Sequence, residues 1–196
     1  MKNLKKIKGD ASFRQFYRKK RKDLSSIIVF AKKDKFKNLI IYDSINRLLN
    51  KNKILAPSLY NENYKKNYIE IQDFGDETIF KILKQKKYNK LNIFKKIIKI
   101  LNRIQLIKNT KTINFRKKEY KVPKYDTEIL IREANLFCDW YAKNKLNKKD
   151  IKIFTTKYKE IVKKLTLELK LKNNVFVHRD FHVSNLMLVN NQIGLI

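Results

Sequence analysis

The stretch "NVFVHRDFHVSNLMLV", residues 174–189, constrains the fold more than any other part of the chain. Its two apolar runs, "VFV" and "LMLV", read as short buried strands. Between them lies a polar loop that holds both histidines of the protein, His178 and His182, together with Arg179, Asp180 and Asn185. A loop bracketed by buried strands presents the Asp180 carboxylate and the Asn185 amide at a fixed separation. A turn signal at Asn190 and Asn191 and a further run, "QIGLI", predict that "LMLV" is the first strand of a β-hairpin.

Upstream, the hydrophobic period changes once. "ASFRQFYRKK" and "LSSIIVFAKK", separated by "RKD", predict two strands of a hairpin, and "NLIIYDSINRLLNKN" places Ile41, Ile45, Leu48 and Leu49 on one helical stripe. A turn at Pro57 and a β-like run "NYIEIQDF" closed by Gly75 complete a β-β-α-β-β order. From Ile79 the apolar residues recur at helical spacing through three segments, 79–108, 125–146 and 148–174. The sequence therefore predicts an α+β fold with a small β-rich N-lobe over residues 1–76 and a larger, mainly helical C-lobe over 77–196. Three glycines and two prolines leave no flexible linker, and no internal repeat is visible.

In "HRDFHVSN" the asparagine follows the aspartate by five residues, the spacing H-R-D-x-x-x-x-N of a protein-kinase catalytic loop. Phosphoryl transfer needs a carboxylate to orient the attacking hydroxyl and take its proton, and an amide oxygen to hold Mg²⁺ on the phosphates. Asp180 suits the first role and Asn185 the second. Read without that context, the triplet is ordinary surface chemistry and Asn185 a turn residue. A β-rich lobe, a helical lobe and a loop between two apolar strands together point to the protein-kinase-like fold.

His182, two residues after the aspartate, resembles the aminoglycoside phosphotransferase and choline kinase family, where "D-[LF]-H-x-x-N" replaces the protein-kinase pattern. Within it, the chain is most similar to the bacterial anomeric sugar kinases of N-acetylmuramate and N-acetylglucosamine. "GDASFRQFYR" resembles that group's "GDASFRRYYR", "IEIQDFGDETI" its "LLLEDLGDRT", and "EANLFCDWY" its "E-L-x-L-F-x-E-W-Y". With "FVHRDFHVSNLM" these are four collinear matches across most of the chain. The resemblance implies an ATP- and Mg²⁺-dependent kinase acting on a small-molecule hydroxyl, with His178, Arg179 and Asp180 in the catalytic loop, Asp180 and Asn185 at the metal, and a place in cell-wall recycling.

The same resemblance implies further roles. Gly9 to Ser12 would turn the first hairpin and offer backbone N–H groups and the Ser12 hydroxyl to ATP phosphates, although by itself the segment is an ordinary β-turn. Ile71 to Phe74, with Asp73, would be the hinge whose backbone meets adenine; an edge strand ending at Gly75 fits those residues equally well. Lys32, in "VFAK", is the candidate for the α/β-phosphates, with Asp43 as the only acid of the following helix available to pair with it. Glu133 and Trp140, seven residues apart on one helix, would join His182 on the acceptor side, while the plainer reading places Trp140 and Phe137 in the core. In the resembled group a second metal-binding aspartate follows a strand of the type "x-I-G-L-I". Here "QIGLI" is the last segment, so the expectation is a C-terminally incomplete kinase-like chain with little or no activity of its own.

A net charge of +30 raises nucleic acid or an anionic membrane as alternative partners. The basic residues are 40 Lys and 8 Arg spread along the whole chain, a pattern of A/T-rich coding more than of a reader that concentrates arginine forks on one face. No specific nucleic-acid partner and no membrane is expected. The single cysteine, Cys138, rules out an internal disulfide and, with a basic N-terminus lacking an apolar signal core, fits the cytoplasm. A non-catalytic kinase-like nucleotide-binding module and a basic nucleic-acid-binding protein remain the other function classes, and the oligomeric state is unassigned. The charge should produce only salt-sensitive sticking: duplex DNA retained at low salt should be released by about 200 mM NaCl, and tight retention beyond that would revive a dedicated nucleic-acid role.

Overall fold

The computed structural model describes residues 4–7, 14–22, 24–32, 37–169 and 175–196. The chain forms two compact units, one of Met1–Val122 with His178–Ile196, the other of Pro123–Val177. The expected lobe boundary at residues 76/77 falls inside the first unit, and the predicted catalytic loop and hairpin belong to that same unit.

The first unit is built on an antiparallel sheet of five strands in the order β1-β2-β3-β5-β4. Its strands are β1 (Leu4–Ile7), β2 (Gln15–Arg21), β3 (Leu24–Phe30), β4 (Leu59–Asn63) and β5 (Tyr68–Gln72). β1 adds a strand to the predicted order. Alternation places Ile27 and Val29 of β3 opposite Ile71 and Ile69 of β5, and Phe16 opposite Val29, so these side chains share one face. They pack with Ala31, and with Leu39 and Tyr42 of the helix α1 (Asn38–Lys51), into the core. β5 lies between β3 and β4, so the edge-strand reading of Ile71 does not hold.

The opposite face of the same strands carries Lys19, Ser26 and Glu70. Glu70 accepts from Ser26 Oγ at 2.6 Å and from Lys19 Nζ at 2.9 and 3.1 Å. Burial by itself pushes the Glu70 carboxyl up, but the hydrogen bonds from Ser26 and Lys19 outweigh it and hold the group below its ordinary value.

α1 turns a different face inward from the predicted one. Leu39, Ile40, Leu48 and Leu49 are buried as an apolar set, while Asp43, Ser44 and Asn46 are buried with them and Ile41 and Ile45 are only half-buried. Polar groups occupy that face because each has a partner. Asp43 accepts from Arg47 Nε and, at 2.8 Å, from the Phe115 N–H; Ser44 Oγ donates to the Ile40 carbonyl, and Asn46 Nδ2 to that of Pro57. Phe115 sits on a small hairpin, β6 (Lys111–Ile113) and β7 (Glu119–Lys121), absent from the sequence expectation. The predicted helix over 79–108 is two helices, α2 (Ile79–Leu83) and α3 (Lys90–Gln105), each started by a side-chain cap, Thr78 and Asn89.

The second unit holds α4 (Thr127–Leu136), a π-helical segment Phe137–Ala142, the short α5 (Lys143–Lys145) and α6 (Lys148–Glu168). α4 and α6 pack together; Tyr158 Oη donates to the Ala134 carbonyl, and Phe137 stacks with Tyr141 and Tyr158. No helix among the described residues is long and apolar enough to cross a membrane.

The lowered Glu70 carboxyl makes the stability of the sheet depend on pH. An acid whose folded value is lowered contributes stability that is complete above its unfolded pKa of about 4.3 and is lost as pH falls through the lower folded value. Glu70→Gln should cost about 1–3 kcal/mol at pH 7. In denaturant titrations the two proteins should converge as pH falls through the lowered folded value of Glu70; an offset unchanged between neutral and acid pH would contradict the assignment.

Candidate active site

The loop from His178 to Asn185 leads into β8 (Leu186–Val189), which pairs with β9 (Gln192–Leu195) in register Val189↔Gln192 to Leu186↔Leu195. Asn190 and Asn191 both take positive φ, 45° and 63°, as a two-residue hairpin turn of the primed type requires. The hairpin is fixed to the rest of the first unit through main-chain groups. Leu195 N–H donates to the Leu55 carbonyl, Leu188 N–H to Glu77, and Phe80 N–H to Val183 in the loop. Ile196 N–H returns to the Asn185 carbonyl at 3.0 Å. Gly194 allows the Phe74 ring to close on the hairpin, since a Cβ there would lie 2.7 Å from a ring carbon.

Within the loop, the side chains of Asp180 and Asn185 are in direct contact. Asn185 Nδ2 donates to Asp180 Oδ2 at 2.8 Å and to the Asp180 carbonyl at 3.1 Å. Asn185 N–H is itself held by the His182 carbonyl. His182 Nε2 lies 3.1 Å from Asp180 Oδ1, and His182 Nδ1 accepts the Ser184 N–H. An imidazole that accepts at Nδ1 carries its proton on Nε2, so the N–H is directed at the carboxylate. Both oxygens of Asp180 are thus oriented by donors while its side chain stays 73% exposed, open to an incoming ligand. The amide nitrogen of Asn185 is committed to Asp180, which leaves its carbonyl oxygen for a cation.

His178 is half-buried, edge-on to Phe181, and burial pushes its imidazole below the usual histidine value. Its Nδ1 has no partner among the described residues. Arg179 is exposed and takes the left-handed backbone conformation, with φ 69°. Asp180 and Asn185 offer two oxygen ligands, the hard donor type Mg²⁺ takes alongside water and phosphate. Among the described residues no cluster of three or more His, Cys, Asp or Glu side chains gathers as a preformed metal cage.

The remaining candidates separate. Gly9 and Ser12 lie outside the described residues. Lys32 is exposed two positions beyond β3, whose inward residues are Ile27 and Val29; Ala31, just past the strand, is buried with them, so Lys32 has the opposite parity to that face. Its proposed partner Asp43 is occupied by Arg47 and Phe115, so the expected Lys32–Asp43 pair is replaced by this other network. Ile71 and Phe74 are buried beside the end of β5. Asp73 is half-buried with its side chain turned in, and its carboxylate is taken by Arg18 and by the Gly75 N–H.

Glu133 accepts from Tyr125 Oη in the second unit. Trp140 is 74% exposed, which overturns the core reading for that residue. The π-helical segment shifts the register, so that Cys138 and Ala142 face inward in its place. Arg18, which holds Asp73, Asp76 and the Gly75 carbonyl, has no role in the sequence reading. Its position in β2 has the inward parity of Phe16, and an inward arginine demands buried counter-charges such as those in "QDFGD".

A family model described as "Phosphotransferase enzyme family" matches residues 3–196. An N-acetylmuramate/N-acetylglucosamine kinase of Neisseria meningitidis serogroup B is 25% identical over 189 residues, which cover 96% of this chain and 54% of that protein. A kinase of the same name from Pseudomonas aeruginosa is 26% identical over 182 residues, covering 92% and 50%. The chain thus spans about half the length of these curated relatives. The ternary complex of APH(2")-IIa with streptomycin and ATP superposes with a TM-score of 0.61 at 13% identity, covering 100% of this chain and 65% of that one. The fold is protein-kinase-like, and the aminoglycoside-phosphotransferase resemblance of the sequence is borne out. By its family match over almost its entire length, the chain belongs to the phosphotransferase enzyme family.

Proposed function

We propose that the protein carrying these residues is an ATP-dependent phosphotransferase acting on a hydroxyl of a small molecule, an amino sugar of the N-acetylmuramate/N-acetylglucosamine type. The observation that carries this reading is the Asp180 carboxylate, held by Asn185 at 2.8 Å and by His182 at 3.1 Å at the mouth of an exposed loop. Asp180 orients the acceptor hydroxyl and receives its proton as the oxygen bonds to the terminal phosphoryl group and the bond to ADP breaks. His182 acts on the acceptor through Asp180. Arg179 and His178 shape the loop, His178 from its packing on Phe181. Asn185 Oδ1 and the Asp180 carboxylate would hold Mg²⁺, which supplies positive charge to the phosphates.

The nucleotide reading rests on the family match and on a structural neighbour seen with ATP. The backbone at Ile71, Asp73 and Phe74 serves as the adenine hinge, and Gly9 and Ser12 serve the phosphates. Lys32 keeps that role only by reaching in from outside the buried face of β3. Glu133 and the exposed Trp140 offer a carboxylate and an aromatic plane to a sugar. The substrate is a soluble small molecule and ATP the donor, which together place the reaction in the cytoplasm, in the reuse of cell-wall sugars.

The test is made in a protein that carries these residues at the full length of the relatives. ATP consumption dependent on N-acetylmuramate or N-acetylglucosamine should fall at least about 100-fold in kcat for Asp180→Asn, with Mg·ATP affinity nearly unchanged. Full turnover in that variant would remove Asp180 from the mechanism, and absence of sugar-dependent turnover in the parent would remove the substrate assignment.

A further inference from the structure

We propose that Arg18 is a positioning residue that locks the segment Asp73–Asp76, and so fixes the proposed adenine hinge relative to the hairpin that follows the catalytic loop. This deepens the phosphotransferase reading and rests on it for the role of the hinge. The side chain of Arg18 is 15% exposed and leaves β2 on the inward face. Nε and Nη2 reach the two oxygens of Asp73 at 2.6 and 3.1 Å, Nη1 reaches both oxygens of Asp76 at 2.8 and 2.9 Å, and Nη2 also donates to the Gly75 carbonyl at 2.9 Å. All five donors of the guanidinium are used on one short segment, in a fork geometry that an ammonium does not reproduce.

The clamped segment is where the chain leaves the sheet. The β5 ladder ends at Gln72, Gly75 takes φ 82°, and Asp73 caps the turn by accepting the Gly75 N–H. On its far side the segment continues into the catalytic hairpin. Thr78 bridges Met187, the Glu77 carbonyl accepts the Leu188 N–H, and Phe74 lies on Gly194. One arginine therefore stands between the sheet and the strand that emerges from the catalytic loop. Two of the sequence segments singled out above, "GDASFRQFYR" and "IEIQDFGDETI", meet in this single contact.

The experiment compares the chain with Arg18→Gln, Arg18→Lys and Asp76→Asn, by Mg·ATP titration and by amide hydrogen exchange. Arg18→Gln should weaken Mg·ATP binding about tenfold and speed exchange at Thr78 and Leu188, while Val29 and Ile69 in the sheet core stay protected. Arg18→Lys should restore only part of both losses, and Asp76→Asn should show a smaller shift in the same direction. Unchanged affinity and exchange in a folded Arg18→Gln protein would overturn the proposal. If Arg18→Gln does not fold, Asp76→Asn decides, because its side chain is 69% exposed: faster exchange at Thr78 and Leu188 supports the clamp and none overturns it. Failure of the parent chain to bind Mg·ATP would count against the nucleotide reading, and the exchange comparison would then decide the clamp by itself.

Discussion

The Leu195 N–H to Leu55 carbonyl and Leu188 N–H to Glu77 carbonyl hydrogen bonds join the terminal hairpin to the sheet-bearing unit, and the candidate site depends on them. Asp180 is exposed and has no rigidity of its own. Its orientation comes from Asn185, whose carbonyl is tied to Ile196 at the end of the hairpin, and from His182, which is held at Nδ1 by the Ser184 N–H. Buried Leu186, Met187, Ile193 and Leu195 supply the apolar contact that keeps the hairpin down. A polar constellation gains a fixed geometry from an apolar foundation.

The charge balance adds a second constraint. In a chain with 48 basic and 18 acidic residues, the buried acids are few and each is paired. Glu70 lies with Lys19 and Ser26, Asp43 with Arg47, and Asp73 with Arg18. The first ties β2 and β3 to β5, the second joins α1 to the β6–β7 hairpin through Phe115, and the third joins the sheet to the segment leading to α2. Burying a carboxylate without such a partner costs more than the fold can spare, so these pairs specify which elements meet.

Much of this was legible in the residues. On the downstream side of the His178–Asn185 loop, "LMLV", the Asn-Asn turn and "QIGL" form the expected hairpin, whereas upstream "VFV" forms no strand: only Phe176 is buried there, and Val175 and Val177 are exposed. The "VFAK" pattern carries no information on strand parity: with Ile27 and Val29 inward, Ala31 is the next inward residue and Lys32 is exposed. The buried face of α1 was misplaced because Asp43, Ser44 and Asn46 look like solvent residues until their tertiary partners are known. The β6–β7 hairpin leaves little mark in the sequence because its strands are three residues long and mostly exposed, too short for alternation to stand out. The core alternative for Trp140 fails within a π-helical segment that a 3.6-residue period does not anticipate.

In the proposed function, the hinge segment and the loop from His178 to Asn185 serve one nucleotide. Titrating the ¹⁵N-labelled chain with Mg·ATP at about 0.15 M salt, where diffuse lysine binding is screened, tests it most directly. The amide signals of Phe74, Gly75, Asp180 and Asn185 should move together and saturate with a single dissociation constant. Shifts scattered over exposed lysine-rich helices, fading as salt is raised and leaving those four amides in place, would contradict it.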